Sequence, residues 1–219
     1  MGRFIVIDGL DGSGKETQAL RLKAHLESKG IKVRYISFPC YENDSSLFVK
    51  KYLNGELGSR PEDTNAYAAS SFFAADRYLS YRTDWKKDVD DPDTVVIANR
   101  YTTANAVHQL SKLEKEQWNG FLSWLWDYEF YKLGIPIPDE VIYLEMHPDI
   151  SHRLIESRSK ETGRSIDIHE SSDSFLHKSY EAALYASDRL NWTRICCYNE
   201  GEPLSREEIS EQIINALGY

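Results

Sequence analysis

The stretch DGLDGSGKETQ, residues 8–18, sets Gly9, Gly14 and Lys15 in the order G-x-x-x-x-G-K. In that pattern backbone N–H groups wrap a polyphosphate, the lysine reaches its outer phosphates, and the positive end of the following helix points at them. Gly12 and Gly14 permit the close backbone approach. The next residue ordinarily brings a hydroxyl to a magnesium ion, and here it is Glu16. The chemistry in prospect is phosphoryl transfer. A phosphate acceptor is already largely ionised at neutral pH, its second pKa being about 6. It therefore needs alignment and cations rather than a general base. No Ser/His/Asp arrangement or paired-cysteine metal site stands out, and His25, His147, His152, His169 and His177 lack a ligand spacing.

Short β-branched runs alternate with helical stretches. Strands are predicted over 3–8, 32–38, 94–98, 141–146 and 193–198. Helices are predicted over 16–29, 64–87, 115–132, 149–157, 172–190 and 205–217. Strands separated by helices imply an α/β fold, a five-stranded parallel sheet with helices on both faces. Ligands of such sheets bind beyond the carboxyl ends of the strands. Three motifs follow strands directly: Gly9 to Lys15, FPCY at 38–41 and NRY at 99–101. One domain is expected over 1–219. The stretch SRSKETGRSIDIHESSD, 157–173, is too polar for core and reads as a mobile surface lid.

Of the 219 residues, 41% are hydrophobic and 28% charged, as in ordinary globular chains, and the formal net charge is −9. A nucleic-acid polymer would call for a basic stripe, and none is visible. Small anionic substrates remain compatible if cations gather in a cleft. Three cysteines, Cys40, Cys196 and Cys197, make no disulfide framework, so a reduced, cytoplasmic setting is expected. No run approaches the roughly 18 apolar residues of a membrane span, and no secretory signal is seen.

Taken together, IDGLDGSGKETQ, FPCY, YLNGELG (52–58), FFAADR (72–77), NRYTTANAVHQ (99–109), PDEVIYLEMHPDISHRL (138–154) and DIHE (167–170) resemble the thymidylate kinase family over nearly the whole chain. The resemblance implies a P-loop kinase fold with a mobile lid. It implies transfer of the γ-phosphate of ATP to dTMP, giving dTDP and ADP, with Mg2+ and in a homodimer. ATP would lie on Gly9, Leu10, Asp11, Gly12, Ser13, Gly14, Lys15, Glu16 and Thr17. The acceptor would meet Asp11, Phe38, Pro39, Tyr41, Phe73, Arg77, Arg100, Asn105 and His108. By the same resemblance Asp11 approaches the sugar 3′-hydroxyl and the metal, with Glu16 as a further metal residue. Phe38 and Phe73 flank the thymine, Arg77 and Asn105 meet the base, and Arg100 holds the acceptor phosphate. Gly12 stands where some members carry an arginine, so the lid residues Arg158 and Arg164 join Lys15, Asp11 and Arg100 as catalytic candidates; Arg153 and Lys160 are also available. Without the family pattern, Arg77 reads as a surface partner of Asp76 or Asp84, and Phe72 and Phe73 as helix core.

The chain departs from the pattern at Glu16, at Asn99 where Asp is usual, at Ala104, at Cys40, and at His108, where an aromatic residue lies against the sugar. Two accounts of Glu16 stand. Glu16 and Asn99 either compensate in charge around the metal, with Asp8 and Asp11 in reach, or Glu16 faces solvent in a helical first turn whose dipole favours acids. In the second account Thr17 or water serves the metal. His108 is expected to weaken discrimination against UMP. Other readings are a kinase for dUMP or UMP, and a nucleotide-binding regulatory protein. Trp118, Phe121, Leu122, Leu125 and Tyr128 form one helical stripe, which suits core or a partner surface.

Overall fold

The computed structural model describes residues 2–162, 168 and 169, and 172–219. Five strands form one sheet: β1 (Phe4–Gly9), β2 (Lys32–Ser37), β3 (Thr94–Asn99), β4 (Glu140–Glu145) and β5 (Thr193–Cys196). Their order is β2-β3-β1-β4-β5 and every pairing is parallel, as the alternation of strands and helices predicts. β1 and β3 are buried along their whole length. That is why FIVIDG and TVVIAN read as continuous runs rather than alternating ones. On β1, Ile5 and Ile7 join one core with Leu22, Leu26, Leu144 and Ile213, while Phe4 and Val6 join another with Trp85, Val96 and Tyr101. Successive side chains point to opposite faces, so one strand feeds both layers.

On the first face α1 (Lys15–Ser28) buries Ala19, Leu22 and Leu26 at helical spacing, while Leu20 stays exposed. The second face carries α3 (Ala66–Ser80), which continues through a π-turn at Tyr81–Trp85 into α4 (Lys86–Asp90). Two helices escape the periodicity: α2 (Leu47–Leu53) and α5 (Thr102–His108), each 7 residues. Neither is long enough to show a repeat. The remaining helices are α6 (Trp118–Trp126), α7 (Pro148–Thr162), α8 (Asp173–Leu190) and α9 (Arg206–Leu217), with a small hairpin of β6 (Tyr198–Asn199) and β7 (Glu202–Pro203).

Two expectations need correction. The polar stretch 157–173 is not uniformly irregular, since α7 runs on to Thr162. Nor is all of it surface, since His169 is only 4% exposed. Tertiary contact, not local polarity, decides its burial. Arg164, Asp167 and Glu170 lie outside the described residues. On α6, Trp118, Phe121, Leu122 and Leu125 pack on Ala66, Ala106, Leu110, Ala182 and Ala186. That part of the stripe is intramolecular core, and Tyr128 stacks on Trp124. Among the described residues no helix is long and apolar enough to cross a membrane.

Register brings the strand ends level: Asn99 pairs with Ile7 on one side and with Ser37 on the other. β1 is the point where successive connections diverge toward opposite edges, the place at which such sheets open a crevice.

Candidate active site

The crevice is a cleft of about 770 Å3 walled by the turns after β1, β2 and β3, by α3 and α5, and by α7 and the start of α9. Its floor is the loop between β1 and α1. The Ser13 N–H closes on the Leu10 carbonyl at 3.0 Å. Gly14, at φ 81°, turns the chain into α1 without a side-chain cap. The first-turn N–H groups thus have no capping side chain, and the residues that carry them line the cleft. At Gly12 a Cβ would come within 2.7 Å of the Ser151 carbonyl. The loop lies directly on α7, so an added cation at position 12 has no room and must come from another element. Gly9 and Leu10 support the loop from behind: Leu10 is fully buried with Val107, Tyr143 and Ala183.

Three charges meet above this loop. Lys15 Nζ lies 3.1 Å from the Leu10 carbonyl and 3.2 Å from Asp11 Oδ1, and an Arg100 Nη2 N–H donates to the same carboxylate oxygen. Burial pushes the Asp11 carboxyl up, but Arg100 and then Lys15 outweigh it and hold its pKa well below the carboxylate range. Burial and the neighbouring Arg100 lower the Lys15 ammonium, against the pull of Asp11. Arg100 sits at φ 64°, a conformation that costs a non-glycine residue about 1–3 kcal/mol. Its N–H bonds the Ile7 carbonyl at 3.0 Å, which pins the strained residue to β1. Asp8, by contrast, does not line the cleft; its carboxylate accepts from Thr103 and from the Gly9 N–H.

Beyond Arg100 the cleft turns aromatic and neutral. Phe38, Pro39, Tyr41, Phe73, Arg77, Asn105 and His108 line it. Phe38 is also core, packed on Trp85 and Tyr101. Phe73 meets Tyr52 edge-on, while its neighbour Phe72 points away and stacks on Phe48. Arg77 is no surface partner of Asp76 or Asp84. It is 1% exposed and forks onto Glu129, which is fully buried, at 2.7 and 2.6 Å. Asp76 instead accepts from the Cys40 N–H, and Asp84 pairs with Arg34.

Glu129 also accepts from Thr102 Oγ1 at 2.9 Å and from Asn105 Nδ2 at 3.0 Å. It organises the pocket and was missed in the sequence, where an acid two residues after Asp127 looks like part of a solvated face. Its one signal is the pair of apolar neighbours on either side. Pro203, Leu204, Arg206 and Ile209, which line the opposite end, carry no motif at all.

Of the lid cations, Arg158 lines the cleft. Arg153 turns to the Gly201 carbonyl at 2.7 Å and Lys160 to Glu156 at 3.6 Å, and Arg164 lies outside the described residues. Cys40 directs its thiol to Ser80 and Ser37 rather than inward. Burial pushes that thiol up to about 11, so it is a packing residue.

Among the described residues no three His, Cys, Asp or Glu side chains gather to hold a metal. The oxygens at the cleft still suit a hard divalent ion that keeps its waters and substrate phosphates as ligands. Asn99 Oδ1 is buried without a hydrogen-bond partner, and Asn99, exposed Glu16 and Thr17 all line the cleft.

The family model for thymidylate kinase matches residues 7–207. The chain is 28% identical over 169 residues to the thymidylate kinase of Mycobacterium tuberculosis, covering 76% of this chain and 77% of that one. It is 27% identical over 217 residues to a probable thymidylate kinase of Methanosphaera stadtmanae, with 98% of each covered. It is 32% identical over 168 residues to one of Thermococcus gammatolerans, with 74% of each covered. A solved structure titled as thymidylate kinase from Candida albicans superposes with a TM-score of 0.69 at 21% identity, over 99% of this chain and 91% of that one.

Proposed function

The chain belongs to the thymidylate kinase family, a nucleoside monophosphate kinase by that membership, and we propose that its cleft carries the γ-phosphate of ATP to the phosphate of dTMP as follows. The observation that carries the reading is the convergence of Lys15, Asp11 and Arg100 between a phosphate loop and an aromatic pocket. The loop N–H groups and Lys15 hold the ATP phosphates. Arg100 holds the acceptor phosphate, and Arg158 adds charge from α7. Before substrates arrive Asp11 compensates both cations. Incoming phosphates take them over and leave its carboxylate for the sugar 3′-hydroxyl. The two anions are thereby aligned end to end while cations offset the charge between them, which is most of what this reaction requires. Magnesium, when bound, would be held by Glu16, Asn99 or Asp11, directly or through water, and would neutralise charge on the ATP phosphates.

Base choice follows from hydrogen-bond polarity. The Asn105 amide nitrogen is committed to Glu129 and to the Ser70 carbonyl, so its carbonyl oxygen is what remains to accept from the thymine N3–H. Arg77 donates to the ring oxygen O4. Cytosine presents an amine at that edge and meets donor against donor. Phe73 supplies an apolar face for the ring. A homodimer is part of the same reading, supported by exposed Phe48, Tyr67, Leu79 and Tyr131 beside α3 and α6.

The test is ADP release coupled to a panel of acceptors. Turnover with dTMP and not dCMP supports the assignment. Turnover confined to other monophosphates, or tight binding without turnover, overturns it.

A further inference from the structure

Lys112 belongs to no motif and Tyr52 opens YLNGELG with no role assigned to it, yet both are tied to the acceptor half. Lys112 Nζ donates to Tyr52 Oη at 2.7 Å and to the Thr64 carbonyl at 3.0 Å, and lies over the Tyr52 ring. Tyr52 Oη in turn lies 2.7 Å from His169 Nε2. His169 stacks on His108, with ring centroids 5.2 Å apart at 26°, and both pack on Phe175. His108 Nε2 lies 3.3 Å from Arg100 Nη1. A guanidinium only donates, so His108 Nε2 accepts and the ring is neutral with its proton on Nδ1. Both imidazoles line the cleft.

We propose that Lys112 and Tyr52 are positioning residues of the acceptor site: their hydrogen-bonded line seats His169 on His108, and the stacked pair fixes the neutral ring that receives Arg100. The inference rests on the acceptor assignment above. An exposed imidazole in place of a stacked one takes a proton as pH falls through about 6.5, and the charged ring at His108 would face Arg100, Lys15 and Lys112, with Asp11 the offsetting carboxylate among the described residues.

The arrangement has a definite pH sign. Burial pushes His108 down to about 3, opposed by Asp11 and reinforced by Arg100. Burial, then His108 and Lys112, hold His169 well below its ordinary value. The seated state binds fewer protons than an unseated one, so it is favoured above the ordinary imidazole value of about 6.5 and lost as pH falls below it. One pH unit below that value, each imidazole weakens seating about tenfold.

The test uses the whole enzyme with 15N-labelled histidine. In the parent, the His108 and His169 signals stay neutral as pH falls below the ordinary imidazole value. In Tyr52→Phe, and in Lys112→Met, the His169 signal titrates near 6.5. KM for dTMP rises about tenfold, the loss of one hydrogen bond in this setting, while kcat and KM for ATP hold. The proposal is overturned if His169 titrates near 6.5 in the parent, or if it stays neutral and KM is unchanged in both variants. The imidazole signals report seating even for a chain that does not turn over dTMP, so failure of the acceptor assignment is read separately.

Discussion

Glu129→Gln keeps the side-chain shape and removes the buried carboxylate that neutralises Arg77. Arg77 cannot lose its proton, so a buried guanidinium is left uncompensated at 1% exposure. Breaking one partner of a buried pair costs about 3–5 kcal/mol. For a chain of this length each kcal/mol lowers Tm by about 2–4 °C, hence a fall of roughly 6–20 °C. The chemical consequence is more specific. A Gln amide has one acceptor oxygen for donors that the carboxylate serves with two: Arg77, Thr102 and Asn105. Asn105 then keeps only the longer bond to the Ser70 carbonyl, at 3.2 Å, to fix which end of its amide meets the base. In the parent, cytosine leaves two buried polar groups unpaired at about 1–3 kcal/mol each, a preference for dTMP over dCMP of roughly 30-fold to 2 × 10⁴-fold in kcat/KM. The variant forfeits at least one of these penalties, and the ratio falls about fivefold or more. Thermal unfolding and kcat/KM for both nucleotides read the two effects. An unchanged selectivity ratio, whatever happens to Tm, refutes the argument that Glu129 sets hydrogen-bond polarity.

Three further outcomes are expected. Arg100→Ala lowers kcat/KM for dTMP by about 10²–10³, the usual loss for one charge-stabilising donor, with KM for ATP far less affected; steady-state kinetics decide. Gly12→Ala lowers Tm, because a Cβ at φ 80° would meet the Ser151 carbonyl at 2.7 Å, and an equal or higher Tm contradicts the close approach of the loop to α7. Glu16→Thr and Asn99→Asp each shift the magnesium concentration for half-activation if the two residues share the ion's charge balance, and identical titrations in both variants leave Glu16 as a solvent-facing helix acid.

Much of this was legible in sequence where residue type alone encodes conformation. Glycines followed by Lys15 announce the loop, and β-branched runs announce the strands, because backbone sterics and burial act locally. Leu47–Leu53 and Thr102–His108 are too short to show a helical repeat, yet α5 carries Asn105 and His108. Arg77 and Glu129 stand 52 positions apart, and nothing near either one signals the other. His169 lies in a polar run, and its burial comes from Tyr52, His108 and Phe175, which no local pattern contains. What escaped is thus the partner choice of buried polar groups, which only the assembled layers determine.

That partner choice also resolves how a chain of net charge −9 accommodates two phosphorylated substrates. The field of the whole molecule repels them, so attraction has to be local and shielded from water. Lys15, Arg100 and Arg158 come from three separate elements and converge on one cleft, where low dielectric strengthens each interaction. Uncompensated, such a cluster would strain the empty fold. Asp11 counters it as an internal anion bound to both Lys15 and Arg100. Under the proposed roles, substrate phosphates would replace an existing partner instead of meeting bare charge, which would lower affinity but confine the strongest cation–anion contacts to the state in which both nucleotides are present. On this logic Asp11→Asn should bind phosphate-bearing ligands more tightly while turning them over more slowly. A variant that loses both affinity and rate in isothermal titration and kinetics would show that the carboxylate serves the substrates alone.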